Sequence, residues 1–171
     1  QDITERKVAL QALEESATQF RTFAQAQPNH VWTAPRDGQL DWFNDRVYEY
    51  SGALPGTLDR TRWSKIVHPD DVTAAAASWA TAVSTGENYE TEFRIRRADG
   101  EYRWHLVRGV ALTGADGLVR RWIGTNTDIH ARKLQEDEST RDRNRIWTLS
   151  QELMLVCDFE GVMLAVNPSS M

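Results

Sequence analysis

Tyr89 to Ile129 reads YETEFRIRRADGEYRWHLVRGVALTGADGLVRRWIGTNTDI, and this stretch decides the fold. Three runs in it alternate large apolar or aromatic residues with polar ones. A period of two is the pattern of a strand whose faces differ. The runs are separated by Ala98-Asp99-Gly100-Glu101 and by Thr113 to Gly117. Asp-Gly tolerates positive φ, so both connections read as hairpins. Three long antiparallel strands follow, and the residues before them must pack on one face of that sheet.

Working outward, Val31 to Asn44 reads as two short strands around Asp37-Gly38. Asn44 is placed to cap a short helix from Asp45 to Ser51, which Gly52 stops. Trp63 to Val67 reads as a short apolar helix or turn. His68-Pro69-Asp70-Asp71 then opens the Ala-rich run Val72 to Val83, closed by Gly86. Proline suits a first helical position, and aspartates suit the positive end of the helix dipole. A metal site from His68, Asp70 and Asp71 is the competing reading. The helix start is preferred, because no second ligand cluster lies near in sequence.

The ordered set Asp37-Gly38 to Asn44, Tyr50-Ser51-Gly52, Trp63 to Asp71, Glu92 to Trp104 and Gly124 to Ile129 resembles the PAS family. The resemblance covers about Pro28 to Ala131. It implies an α+β fold: a five-stranded antiparallel sheet with helices mainly on one face, flanked by helical linkers. It also implies a sensor and interaction module, common in bacterial signalling proteins. Flavin-binding light sensors of this family carry a reactive Cys where this chain has Thr57 to Trp63, without Cys. Haem-binding relatives offer an axial His on the long helix, and Val72 to Val83 has none. Neither flavin nor haem is therefore expected, while a colourless small molecule has room in the reading.

Before the domain, Ile3, Leu10, Ala17 and Ala24 fall seven apart, with Leu13 and Phe20 between them. That is a short heptad pattern, interrupted by Arg6. Two readings stand level: a dimerising coiled coil through Ile3, Leu10, Leu13, Ala17 and Phe20, or an amphipathic helix on its own domain. Pro28 ends the helix. After the domain, Asp128-Ile-His-Ala-Arg-Lys133 repeats the frame Asp2-Ile-Thr-Glu-Arg-Lys7, 126 positions later. Glu160-Gly161 with Asn167 repeats Asp37-Gly38 with Asn44. The chain thus divides into a helical linker at 1–27, the tail of a preceding repeat; a complete domain at 28–131; a polar helical linker at 132–146; and the start of a further repeat at 147–171. Gln135 to Arg145 contains no apolar residue. The opening Gln and the interrupted last repeat suggest a piece of a longer polypeptide.

Composition narrows the function classes. The chain has 171 residues and a net charge of −5, which gives no global attraction to nucleic acid or acidic membranes. Cys157 is the single cysteine, so no disulfide forms within the chain, and a cytoplasmic setting fits. No run is long and apolar enough to span a membrane. Seven Trp residues are assigned to core and sheet packing rather than to a ligand cage. There is no Gly-rich phosphate loop, no Ser-His-Asp arrangement, and no catalytic or metal-binding residue is assigned. His130 lacks the flanking residues of a phospho-acceptor and reads as a surface residue in a first helical turn.

Phe93, Ile95, His105 and Val107 share a parity, and Asn126 joins them, at a position where flavin-binding relatives hold a ligand-touching Gln. They form a candidate ligand pocket, or a closed core in which His105 and Asn126 are satisfied internally; the closed core is preferred. The resemblance makes Asp128 and Ile129 the outlet for signal. Three functions follow, in order. The first is a sensor, relay and dimerisation module of a multi-domain signalling protein, foremost a histidine kinase and next a diguanylate cyclase or phosphodiesterase. The second is a stand-alone small-molecule receptor, and the third is an unrelated α+β enzyme. Expected partners are a second copy and the neighbouring domains of the same chain.

Overall fold

The computed structural model describes residues 2–149, together with the backbone of strands at 155–157 and 163–166. Two compact units result, Gln1–Ile129 and His130–Met171.

The first unit contains helix α1 (Ile3–Ala26), strands β1 (His30–Pro35) and β2 (Trp42–Phe43), and helix α2 (Asp45–Ser51). A 3-10 turn (Arg62–Ile66), helix α3 (Pro69–Thr85) and strands β3 (Tyr89–Arg96), β4 (Tyr102–Thr113) and β5 (Val119–Asp128) follow. The five strands form one antiparallel sheet in the order β2-β1-β5-β4-β3. Both hairpins are built as the Asp-Gly pairs require. Gly100 and Gly117 lie in the left-handed region, at φ of 91° and 75°. Asp99 and Asp116 accept from the backbone N–H two residues on. β1 closes against β5, with Trp32 opposite Gly124 and His30 opposite Asn126.

Helix α3 begins where its sequence predicts. His68 Nδ1 accepts from the Asp70 N–H at 3.2 Å, and Pro69 takes the first position. Asp71 accepts from Arg94 three times, through the backbone N–H and the guanidinium Nε at 2.9 Å and a terminal nitrogen at 2.7 Å. The guanidinium beside Asp71 holds its carboxyl below the usual range. These residues fasten α3 to β3, and among the described residues no cluster of His, Cys, Asp and Glu is suited to a metal.

One local expectation is corrected. Asn44 stands at the cap position of α2, but its side chain does not cap that helix. It is fully buried and turns backward, accepting from the Val31 N–H at 2.9 Å and donating to the Ala24 and Asn29 carbonyls at 3.0 Å. Gln25 from α1 accepts at the helix start, through Oε1 from the Asp45 N–H at 2.9 Å. The Ala24 carbonyl also accepts from the Gln27 N–H at 3.3 Å, and a buried backbone group left without any partner costs about 1–3 kcal/mol.

The second unit has helix α4 (His130–Leu149) and the antiparallel pair β6 (Leu155–Cys157) and β7 (Met163–Val166). Leu155 faces Val166 and Val156 faces Ala165. The pairs Trp32 with Phe43 and Thr33 with Trp42 stand 123 residues earlier, in the same register. Glu160-Gly161 and Asn167, which the sequence aligns with Asp37-Gly38 and Asn44, lie outside the described residues.

Candidate functional site

The sheet's inner face divides into an apolar region and a polar region. In the apolar region, Trp32 lies flat across β5 and β4 because Gly124 and Gly109 leave room for it. A Cβ at Gly124 would overlap the indole, and one at Gly109 would stand 2.9 Å from its Cη2. The Trp32 Nε1–H donates to Asn126 Oδ1 at 2.9 Å. Trp79 from α3 meets Trp32, Trp122 and Tyr89 edge-on, at centroid distances of 5.4, 5.0 and 5.1 Å. Its own Nε1–H donates to the Gly38 carbonyl at 2.8 Å.

Between these rings and the helices is a cavity of about 40 Å³. Phe93, Ile95, Val107 and Asn126 line it, together with Trp32, Phe43, Trp63 and Trp79. The volume accommodates one or two waters, far below the several hundred Å³ typical of small-molecule sites. The lining holds no thiol that could add to a flavin and no imidazole that could ligate a haem iron.

His105 has the predicted parity but stands outside that lining. It belongs to a polar cluster nearer the end of β5. Its ring stacks on His30 at 5.3 Å and 19°, and Tyr50 from α2 packs edge-on against both imidazoles at 5.2 and 4.9 Å. His105 Nδ1 is 2.9 Å from the Arg103 carbonyl, and His105 sits opposite Asp128 in the β4–β5 register. His30 and His105 are 6% and 1% exposed. Among the described residues, His30 Nδ1 and Tyr50 Oη are buried without a hydrogen-bond partner. Burial, then the neighbouring His105, lower the His30 pKa to about 4 against an opposing pull from Asp128. Burial raises the Tyr50 phenol to about 12. Neither His30 nor Tyr50 is named as a site residue by the sequence reading. The parity of His30 with Trp32 was the available signal.

At the end of β5, Arg103 Nε donates to Asp128 at 2.8 Å, both side chains being partly exposed. The Ile129 N–H donates to the Trp104 carbonyl at 2.9 Å. Asp128 therefore ties β5 to β4 within the first unit.

The predicted dimerisation residues separate into two groups. Ile3, Leu10 and Leu13 are 83%, 57% and 67% exposed, and Ala17 is exposed as well. Phe20 is half-buried, with its ring 6.1 Å from Trp42, and Ala24 is buried. The last turns of α1 thus pack on their own domain while the earlier turns carry their apolar side chains in solvent.

A family model described as PAS fold matches residues 41–126. A Sinorhizobium fredii protein, y4lL, is 34% identical over 77% of this chain and 16% of its own length. The peroxide stress-activated histidine kinase mak1 of Schizosaccharomyces pombe is 36% identical over 65% of this chain and 7% of its own. The chain therefore spans less than a fifth of either relative. A sensory box histidine kinase/response regulator from Burkholderia thailandensis superposes with a TM-score of 0.56 at 24% identity, covering 75% of this chain and 97% of that one. An RNA-binding Light-Oxygen-Voltage receptor reaches 0.61 at 16% identity, covering 75% and 37%. At such identities these two likenesses speak for the fold.

Proposed function

The chain belongs to the PAS fold family, and from that premise we propose that it is a regulatory sensor and relay module within a larger, dimeric signalling protein. A histidine kinase is the parent we favour, supported by the identity to mak1; a diguanylate cyclase or phosphodiesterase is the alternative. The observation that carries the reading is the β6–β7 register, whose first two pairs stand 123 residues after the two pairs of β1–β2. It supports a tandem array in which 28–131 is one whole module, 1–27 and 132–146 are joints, and 147–171 begins another. In this reading the segment has no catalytic residue and contacts neither nucleic acid nor membrane. It works in the cytoplasm. Asp128 and Ile129 pass the signal to α4.

The test uses the longer parent. One residue inserted after Gln135 turns everything downstream by about 100°, whereas seven nearly restore the facing. Output collapses or locks with one and largely recovers with seven. Regulation intact under both insertions would mean a flexible tether, and the relay would be abandoned.

Dimerisation through Ile3, Leu10, Leu13 and Ala17 belongs to the same proposal, supported by the exposure of those turns. Leu10→Asp with Leu13→Asp halves the mass seen by light scattering. An unchanged mass places the contact elsewhere.

A second reading, a stand-alone receptor, rests on the cavity beside Phe93, Ile95, Val107 and Asn126. A colourless molecule copurifying at equal stoichiometry supports it. A visible absorption band lost on denaturation would instead indicate a bound chromophore, against this reading.

A further inference from the structure

The cluster of His30, His105 and Tyr50 stands apart from the apolar cavity, yet it fills the space between α2 and the end of β5. Two imidazoles stacked face to face and buried from water are a poor arrangement for charge. Once one ring is protonated, it sits against its neighbour with little solvent to screen it. Two acceptors are at hand: the unpartnered Tyr50 Oη from α2, and the Asp128 carboxylate from β5, whose charge already acts on His30. The other charged groups around Tyr50 are Arg103 and Glu101 of the β3–β4 hairpin and Arg97 of its turn. Glu101 and Arg97 are ion-paired with each other, and Arg97 also pairs with Asp99. Asp128 holds Arg103. A cation on the histidine pair gives that carboxylate a competing positive partner.

We propose that acidification is a signal this domain reads, with the stacked pair His30–His105 as proton acceptor and the Arg103–Asp128 pair as the contact it disturbs. The proposal rests on the sensor reading above and supplies its input. Proton uptake draws Asp128 or the Tyr50 hydroxyl toward the imidazolium, and the bond from Arg103 to the last residue of β5 weakens. Ile129, the next residue, lies where the first unit ends. By reciprocity, whatever ties Asp128 more firmly to Arg103 makes the histidine pair harder to protonate.

The test is an NMR titration of the whole chain, following the His30 and His105 imidazoles and the Asp128 and Ile129 amides. His30 resists protonation well below the ordinary histidine range, and the Ile129 amide shifts with the imidazole midpoint as well as with the Asp128 carboxylate. In Asp128→Asn the His30 proton affinity falls about fivefold or more. In His30→Phe the imidazole-linked component of the Ile129 shift disappears. An Ile129 amide in the native chain that does not move with the imidazole midpoint overturns the proposal. So does an Ile129 titration unchanged in His30→Phe. If a variant fails to fold, the native titration alone decides. These outcomes are independent of the insertion experiment: a failed titration with intact helical phasing leaves a relay driven by some other input.

Discussion

Within one sheet face, the aromatic region and the histidine region meet their polar atoms in opposite ways. Trp32, Trp79 and Tyr89 each place their N–H or O–H on an acceptor, at 2.9, 2.8 and 3.3 Å. Trp122 Nε1 has no acceptor, but its ring lies edge-on to that of Trp79. Around the histidines, by contrast, His30 Nδ1 and Tyr50 Oη are both buried without partners. An unsatisfied buried polar group is a standing cost, and two of them on rings packed against each other mark a place able to change state. The aromatic region fixes the fold, and the histidine region is left responsive.

The contrast breaks most sharply at Gly124. Alanine there must displace a rigid indole rather than a flexible chain end. Gly124→Ala therefore lowers the unfolding free energy by about 3 kcal/mol or more, measured by urea denaturation. Gly109→Ala, with its contact to the ring tip at 2.9 Å, costs less. Equal and small effects would mean that the indole is free to move, and the aromatic region would not be the rigid one.

Acid should expose the histidine region. The unfolded His30 takes up a proton near its ordinary value of 6.5, whereas the folded one does so at about 4. The unfolded state thus binds more protons between these limits, and stability falls as pH drops from about 6.5 to about 4. The loss attributable to His30 is on the order of 3 kcal/mol. His30→Phe removes that component of the pH dependence, leaving the component from carboxylates such as Asp71. Parallel curves for the two proteins would show that His30 does not titrate in this way.

A smaller effect is expected from Trp32→Phe, which keeps a ring over the glycines but removes the donor to Asn126. It costs about 2 kcal/mol, chiefly by leaving Asn126 Oδ1 unpaired. Near-ultraviolet circular dichroism should retain the signature of the remaining aromatic contacts.

The strands and turns were legible because their causes are local. Alternation sets the faces of β3, β4 and β5, and Asp99-Gly100 and Asp116-Gly117 set the hairpins. Asn44 was misread because a cap rule looks forward three residues, whereas its partners lie 13 to 20 residues behind it. His105 was given the correct face but not its neighbours, since the parity of a strand does not say which row of the sheet a helix covers. The role of Trp32 depends on β1 meeting β5, a pairing across 94 residues, and no short-range pattern announces it.

Asn44 also makes a mechanical joint. One side-chain amide holds the Ala24 carbonyl at the end of α1, the Asn29 carbonyl in the loop and the Val31 N–H in β1. A pull along α1 therefore does not simply unwind a loose connection. It loads these bonds together and carries the force into the strand that begins with His30, so tension and protonation converge on the same few ångströms of backbone.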